Sequence, residues 1–335
     1  MEQRILGKTG RPVSVIGLGC WQLGGTDWGD VDDAAALAVL ESAVDNGINL
    51  FDTADVYGDG RSEQLIGRFL KAHGGPDAIG VTVVTKLGRR ANPHTPEAYN
   101  ATNFRAWLDR SRRNLGLDTI PMVQLHCPPT PVYSDQAAFD ALDRLKEEGV
   151  IAQYAVSVET VAEALTAIAQ PGVASIQIIF NLLRRKPLEQ VLPAAQAAGV
   201  GILARVPLAS GLLSGRYTKD TVFPAGDHRT YNRFGQAFDQ GETFSGVPYE
   251  VGLTAAAQVA DVAAGLPGHV TPAQLALAWI IQQAGVTAAI PGARNAEQVR
   301  GNAAAAAVPP LDQATLDALQ AIYDNLIREH VHSRW

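Results

Sequence analysis

The sequence predicts an α/β fold built from successive strand–helix units, and three observations support this prediction. Short segments rich in β-branched residues alternate with longer segments rich in Ala and Leu, which is the order of βα units. Eight strand candidates occur, and no Pro/Gly/Ser-rich linker divides them. The chain has 335 residues, 47% of them hydrophobic, and α/β barrels commonly use this length for one domain. We therefore expect residues 1–335 to form a single domain.

The predicted elements follow a regular order. The segment ILGKTGRPVSVIG predicts a hairpin that turns near Thr9 and Gly10 and packs at the amino-terminal end of a barrel. The predicted strands are VSVIGLG, INLFD, VTVVT, MVQLH, IAQYAVS, SIQIIF, VGILARV and TAAIP. The predicted helices span 32–46, 62–70, 103–115, 136–148, 161–170, 187–198, 254–264 with 271–283, and 295–305. An extra helix near 311–322 ends the pattern.

Several helix ends have a local cause. Asn46 and Gly47 end the first helix, because both residues tolerate the left-handed conformation found at helix C-termini. Ser62 is the expected N-cap of the second helix. Thr271 is a cap residue followed by Pro272, which is favoured at the first helical position.

Residues 218–250 interrupt the alternation of predicted strands and helices. They form a long segment with Gly, Pro, Phe, Tyr, Arg and His. A loop of this length within a compact domain is usually functional or disordered. We expect it at the mouth of an active site and interpret it as a cover over ligand or cofactor. A solvated insertion is the alternative.

Composition excludes several classes of protein. The formal net charge of −7 gives no broad basic surface, so nucleic acid is not an expected partner. Cys20 and Cys127 are too few for a disulfide framework or a metal set, which favours a reducing cytoplasm and two small buried side chains. We see neither a signal peptide nor an apolar run of about 18 residues, so we expect a cytoplasmic protein without a membrane partner.

Three predicted strands end on a polar residue able to take part in proton chemistry. INLFD ends at Asp52, VTVVTK at Lys86 and MVQLH at His126, and Tyr57 follows in DTADVYG. In a closed barrel of parallel strands, the carboxyl ends of all strands open onto one mouth, where catalytic groups lie. The carboxylate, ammonium, imidazole and phenol are therefore predicted to form one active site.

Six segments resemble the aldo-keto reductases: GLGCWQLGG, INLFDTADVYGDGRSEQLIG, VVTKLG, QLHCPP, PLASGLLSGRY and IPGARNAEQVRGN. The resemblance covers nearly the whole chain, and DTADVYG followed by SE is its most specific motif. It implies a (β/α)8 TIM barrel with NADP(H) bound without a Rossmann domain. It also implies reversible reduction of a carbonyl compound to an alcohol.

Roles for the polar residues follow from charge and acidity. Hydride delivery to a carbonyl builds negative charge on oxygen, so a proton donor is needed, and Tyr57 is the expected donor. Lys86 would favour the phenolate and make Tyr57 a better acid, while Asp52 would pair with Lys86. His126 would donate to the same oxygen and orient the substrate. A metal site is disfavoured because Lys86 would place a competing cation there, and a hydrolase is disfavoured because no G-x-S-x-G segment occurs.

The resemblance assigns the nicotinamide to Ser157 and Gln177, and further cofactor contacts to Cys20, Trp21 and Asp52. The family often follows that serine with Asn or Arg, whereas this chain has Val158. Many relatives place an aromatic residue against the ring where this chain has Arg205. A planar guanidinium can stack on the ring, and the alternative is that Arg205 pairs with a nearby acid.

The remaining cofactor residues lie in two segments. Those matching the segment that follows the pyrophosphate are Pro207, Leu208, Ser210, Gly211 and Leu213, with Arg216 as a basic neighbour. Gly292 and Arg294 precede a helix, whose amino end favours phosphate, and Arg294 would contact the 2′-phosphate and select NADPH. Gln298 and Asn302 share a helical face and would hold the adenine; a solvated face is the alternative.

The substrate is expected to be a small carbonyl compound. Trp21, Trp28, Tyr57 and His126 are the predicted substrate contacts, and aromatic side chains favour an aldehyde or ketone with apolar surface. Sugars, quinonoid compounds, pyridoxal-like aldehydes and simple aldehydes all remain open, as does alcohol oxidation. An NADP(H)-binding regulatory or redox-sensing protein with slow or no turnover is the second hypothesis, and another barrel enzyme such as an isomerase is the third.

Overall fold

The computed structural model describes residues 1–28 and 31–335, and its central feature is a barrel of eight parallel strands. Strands β1 and β2 form an antiparallel hairpin, and β3 to β10 pair in sequence order. Bridges from Ile16 to Ala289 and from Gly19 to Gly292 join the first and last barrel strands. The strands are β1 Gln3–Ile5, β2 Pro12–Ser14, β3 Leu18–Gly19, β4 Leu50–Asp52, β5 Thr82–Leu87, β6 Met122–His126, β7 Tyr154–Ser157, β8 Val173–Ile179, β9 Gly201–Arg205 and β10 Ala288–Ala289.

The predicted (β/α)8 barrel with its N-terminal hairpin is confirmed. Helices surround the barrel because each buries an apolar face on the outer side of the strands. The α-helices are α1 Asp33–Asp45, α2 Arg61–Ala72, α3 Ala101–Leu115, α4 Gln136–Glu147, α5 Val161–Ile168, α6 Val191–Ala197, α7 His228–Tyr231, α8 Tyr249–Ala264, α9 Pro272–Ile281, α10 Ala296–Ala304, α11 Gln313–Ile322 and α12 Arg328–Val331. Within the described residues, no helix combines the length and the apolar character that crossing a bilayer requires.

The hairpin closes the amino-terminal end of the barrel, as predicted. Leu6 and Val13 are fully buried in a cluster with inward-facing barrel residues that include Leu50, Val84 and Leu203. Gly7 allows this close approach, since a Cβ there would lie 1.9 Å from the carbonyl oxygen of residue 174 and its φ is +48°. The hairpin is therefore part of the core.

Two local predictions were wrong. The predicted strand VSVIGLG is divided, because residues 12–14 pair with β1 and only residues 18–19 form a barrel strand. Ser62 does not cap α2, which begins at Arg61 after Gly60 in a left-handed conformation. Ser62 is buried instead, and its hydroxyl donates to the Cys20 carbonyl oxygen. The Thr271 cap is confirmed and forms a capping box with Gln274.

The segment 218–250 is more ordered than a plain loop. It contains α7 and short 3-10 helices at Gln240–Glu242 and Phe244–Gly246. Helix α8 begins at Tyr249, five residues before the predicted start at Thr254. An N-cap at Asp227 accounts for α7, since its side chain accepts from the Arg229 N–H.

Candidate active site

The polar residues at three strand ends meet at the carboxyl-terminal mouth of the barrel. Lys86 Nζ lies 2.5 Å from Asp52 Oδ1 and 3.3 Å from the hydroxyl oxygen of Tyr57. It also donates to the carbonyl oxygen of Thr53 at 3.0 Å. Lys86 is thus the centre of a hydrogen-bonded group that joins a carboxylate to a phenol.

Tyr57 lies between two aromatic rings. The ring of Trp21 stacks on it with centroids 5.8 Å apart, and the His126 ring meets it edge-on at 5.9 Å. Tyr57 begins a tight 3-10 turn in which Gly58 has φ +58°. A Cβ at Gly58 would lie 1.6 Å from the carbonyl oxygen of Gly24, so only glycine lets the two loops pack and hold Tyr57 in place.

Burial and charge set the protonation states. Burial alone would lower the pKa of Lys86, but Asp52 and Tyr57 stabilise the ammonium and raise that pKa above its usual value. Burial raises the pKa of Tyr57 above its usual value, and Lys86 acts in the opposite, predicted direction by lowering it. Burial, with Arg89 and Lys86, places the pKa of His126 well below 6.5, and its imidazole is neutral.

The barrel interior supplies a second partner for Asp52. Gln177 donates from Nε2 to Asp52 Oδ2 at 2.7 Å, so both carboxylate oxygens are occupied. Nδ1 of His126 is buried and has no hydrogen-bond partner in the described part of the chain. Ser157 is buried, with its hydroxyl 3.3 Å from the Cys127 thiol. Both cysteines are free.

A cavity of about 880 Å³ begins at this polar group and runs to the amino end of α10. Most predicted site residues line it: Cys20, Trp21, Trp28, Asp52, Tyr57, His126, Gln177, Arg205, Pro207, Leu208, Ser210, Gly211, Arg216, Gly292, Arg294, Gln298 and Asn302. Lys86, Ser157 and Leu213 are not among the lining residues. Leu213 is fully buried in the main hydrophobic core, which accounts for its position outside the cavity surface.

The far end of the cavity is lined by polar and charged residues. Arg216 and Arg294 are exposed along it. The Gln298 side chain accepts from the backbone N–H of Arg294 at 2.8 Å, and Asn302 donates to the Gly292 carbonyl oxygen at 3.3 Å. These contacts hold the loop before α10 in place, so that the cationic side chain of Arg294 lies at the cavity.

Arg205 belongs to a cluster of four charges, of which Arg205 and Glu242 are buried and Arg89 and Glu159 are partly buried. It donates to Glu159 at 2.7 Å, and its other terminal nitrogen lies 3.7 Å from Glu242. Arg89 contacts the same two carboxylates at 3.3 and 2.5 Å. Arg205 therefore both lines the cavity and pairs with nearby acids, so the two interpretations of this residue are compatible. Glu159, Glu242 and Arg89 were not found from the sequence, since they lie on separate loops and no local motif relates them.

The segment 218–250 reaches the mouth, as expected. The His228 ring lies 5.0 Å from the Trp21 ring and 4.3 Å from the Trp28 ring. Asp27 accepts hydrogen bonds from Trp21 Nε1 and from the Tyr231 hydroxyl, each at 3.0 Å. Asp27, like His228, was missed because only the folded chain brings it beside the indole of Trp21.

The closed barrel and the polar group at its mouth place the chain among the (β/α)8-barrel enzymes. The model of the Aldo/keto reductase family matches residues 15–324, and the chain belongs to this family, as its motifs indicated.

Individual relatives agree with this assignment. The chain is 30% identical over 299 residues to aldo-keto reductase YhdN of Bacillus subtilis (strain 168), covering 89% of this chain and 87% of the relative. It resembles the structure of the glycerol dehydrogenase AKR11B4 from Gluconobacter oxydans with a TM-score of 0.76, 29% identity and coverage of 98% and 95%. An aldo-keto reductase from Klebsiella pneumoniae in complex with NADPH gives a TM-score of 0.69, 25% identity and 96% coverage of each chain.

Proposed function

We propose that this protein is an NADP(H)-dependent oxidoreductase that reduces an aldehyde or ketone to an alcohol, with Tyr57 as proton donor. The observation that carries the proposal is the position of Lys86 Nζ between Asp52 and Tyr57 at one end of a long cavity. A phenol is a weak acid, so its use as a proton donor requires a nearby group that stabilises phenolate as the proton leaves. Lys86 meets this requirement.

The residues along the cavity fit a dinucleotide. The cavity volume lies within the range usual for ligand sites. The cavity runs from the end that holds the proton donor to a cationic end. Two buried polar atoms in its lining, Gln22 Oε1 and Arg205 Nε, have no partner in the described chain and are available to a ligand. The likeness to the Klebsiella pneumoniae protein in complex with NADPH gives further support.

Three groups of residues would hold the cofactor. Gln177 and Arg205 would contact the nicotinamide at the end nearest Tyr57, and Cys20, Trp21 and Asp52 border the same end. Pro207, Leu208, Ser210, Gly211 and Arg216 would lie along the pyrophosphate, and Gly292, Arg294, Gln298 and Asn302 would hold the adenosine phosphate. When bound, the reduced nicotinamide supplies the hydride. Ser157 stays a predicted contact of the nicotinamide at the end of the cavity nearest Tyr57. Leu213 would support the cofactor site only by packing in the hydrophobic core.

The chain's own residues perform the proton transfer. Tyr57 lines the cavity, and its hydroxyl would donate its proton to the carbonyl oxygen as negative charge develops there. The Lys86 ammonium stabilises the phenolate, and Asp52 holds the ammonium in a site where it is only 1% exposed. Neutral His126 donates a second hydrogen bond to the same oxygen and orients the substrate. Solvent then returns a proton to Tyr57.

The mouth favours a carbonyl compound with an apolar or aromatic body. Trp21 and Trp28 meet edge-on with centroids 5.5 Å apart, and Phe238 meets Trp21 edge-on at 6.0 Å. These rings, with Tyr57 and His126, present apolar surface around the reacting carbon. An aldehyde is our preferred substrate.

We also propose that residues 1–335 form one domain located in the cytoplasm. Support for one domain comes from the main hydrophobic cluster, which includes residues from Val15 to Trp335. Support for the location comes from the two buried free cysteines.

NADPH consumption with a panel of aldehydes and ketones tests the proposal. Wild-type protein should turn over at least one carbonyl compound, and Tyr57→Phe should lose at least about 99% of that rate, within the range for a removed general acid. Tyr154→Phe is the matched control, because its hydroxyl contacts Asp143 on the outer side of the barrel and it should retain the wild-type rate.

The second hypothesis gives a different pattern. An NADP(H)-binding regulatory protein would quench its tryptophan fluorescence on NADPH addition but show no Tyr57-dependent turnover across the panel. An unrelated barrel enzyme would show neither response.

A further inference from the structure

Two carboxylates and two guanidinium groups form a compact cluster next to His126 and Gln177. Glu159, Glu242, Arg89 and Arg205 form this cluster, which we call the charge cluster. A ligand atom from each carboxylate and the Cys127 sulfur lie within 4.8 Å of one another. The four charged side chains are between 7% and 21% exposed. The two guanidinium groups supply the positive charge that a metal ion would otherwise bring to such a set.

The charge cluster faces the cavity at its nicotinamide end. Arg205 and Glu242 are lining residues, together with Tyr57, His126 and Gln177. Arg205 ends β9, whereas Glu242 comes from the segment 218–250. The charges on the cluster therefore act directly on whatever ring occupies this end.

The surroundings shift the pKa values of the two carboxylates in opposite directions. Burial raises the pKa of Glu159 to about 7, with Arg205 opposing and Glu242 adding to the rise. Burial also acts on Glu242, but Arg89 and Arg205 overcome it and lower its pKa to about 2. Like charges this close do not ionise independently, so the pair takes up one proton near neutral pH.

Several other titratable groups lie around the pair. The Cys127 thiol has its pKa raised to about 12 by burial, and His126 is neutral. Burial lowers the pKa of His94 and brings that of His228 to about 4. Further charged or titratable groups near the pair or its arginines are Tyr57, Tyr99, Tyr133, Glu163, Arg184 and Tyr231, and Asp239 and Arg334 act on Arg184.

We propose that the Glu159–Glu242 pair adjusts its charge to the redox state of the nicotinamide, holding one proton beside the reduced ring and releasing it to solvent when the oxidised ring binds. The proposal rests on the proposed function, because it requires NADP(H) in this cavity. It makes Glu159 and Glu242 positioning residues that determine the preference between NADPH and NADP⁺.

The physical reason is charge balance. With both carboxylates ionised, the charge cluster is neutral; with one proton bound, it carries one positive charge. The oxidised nicotinamide ring is positive and the reduced ring is neutral, so the oxidised ring favours loss of the proton. Linkage is reciprocal, and the affinity for NADP⁺ must therefore rise as pH rises through the titration of the pair.

Calorimetric titration with NADP⁺ and NADPH in buffers of different ionisation enthalpy measures the proton directly. If NADP⁺ shifts the titration of the pair by about one unit, binding at pH 6.5 releases about half a proton and the Kd for NADP⁺ falls about fivefold from pH 6 to 8. The 2′-phosphate titrates near pH 6 in both cofactors, so the difference between them isolates the ring. NADPH should show no release from the pair.

Three variants complete the test. Glu159→Gln and, separately, Glu242→Gln leave one carboxylate between two arginines, and each should abolish the pH-dependent difference between the cofactors. Asp55→Asn is the matched control: burial and Glu63 raise the pKa of Asp55 to about 7, but its carboxyl is not part of the cavity lining, and the difference should persist.

The outcomes separate the two proposals. NADP⁺ and NADPH binding with the same proton release and the same pH dependence overturns the charge adjustment and leaves the reductase proposal intact. A cofactor difference that survives in both glutamine variants also overturns it. If the protein binds neither NADP⁺ nor NADPH, the proposed function itself is overturned.

Discussion

Replacing Lys86 by methionine separates its role in stability from its role in proton transfer. The ammonium and its Asp52 partner are 1% and 4% exposed, and among the residues that the structure describes, methionine would leave the buried carboxylate with Gln177 as its single side-chain donor. Removing one partner of a buried pair costs about 3–5 kcal/mol of unfolding free energy. We expect the loss of unfolding free energy in Lys86→Met to lie within this range.

The double variant Asp52→Asn with Lys86→Met removes the unpaired charge. Because neutral buried pairs are often as stable as ionic ones, it should regain more than half of the lost stability. It should not regain turnover, since Tyr57 still lacks an ammonium at 3.3 Å. At an effective dielectric of about 20, that charge is worth up to roughly 5 kcal/mol to a phenolate, so we expect a fall in kcat/KM on the order of a thousandfold.

Urea unfolding followed by tryptophan fluorescence measures the first effect, and NADPH oxidation with the best aldehyde measures the second. A double variant no more stable than Lys86→Met would refute the buried-charge argument. Turnover by Lys86→Met within tenfold of wild type would refute the ammonium's role in the acidity of Tyr57.

Three further predictions concern the cofactor end, the hairpin and the imidazole. Arg294→Ala should weaken NADPH binding about tenfold, the low end for a charge-assisted contact because this arginine is exposed, and should leave NADH binding unchanged; equal loss for both cofactors in fluorescence titrations contradicts the 2′-phosphate contact. Leu6→Ala should cost about 2–5 kcal/mol in urea unfolding, whereas Ile5→Ala, at a position 55% exposed, should cost little; similar losses would show that the hairpin does not fill the barrel end. The unfolded chain protonates His126 near pH 6.5 but the native protein does not, so wild type should lose about 1.4 kcal/mol of stability between pH 8 and 5.5 that His126→Asn does not lose; identical pH profiles of unfolding would contradict its neutral burial.

The sequence alone determined the barrel and the identity of the main polar residues. Period-two alternation directs Leu50, Val84 and Met122 into the barrel, and the same period directs Asp52, Lys86 and His126 inward at the strand ends. In a parallel barrel, the ends of consecutive strands are neighbours, so local patterns suffice to bring these residues together. The DTADVYG motif then identified Tyr57.

Only the tertiary structure decided how these groups are charged and what else meets them. Burial raises the pKa of Tyr57 more than Lys86 lowers it, and this balance could not be predicted because desolvation depends on every element packed around the phenol. The charge cluster joins residues 89, 159, 205 and 242. These residues are so far apart along the chain that no local sequence pattern relates them. Gln177 reaches Asp52 across the barrel from a strand 125 residues away, a contact set by barrel closure and the inward direction of both side chains.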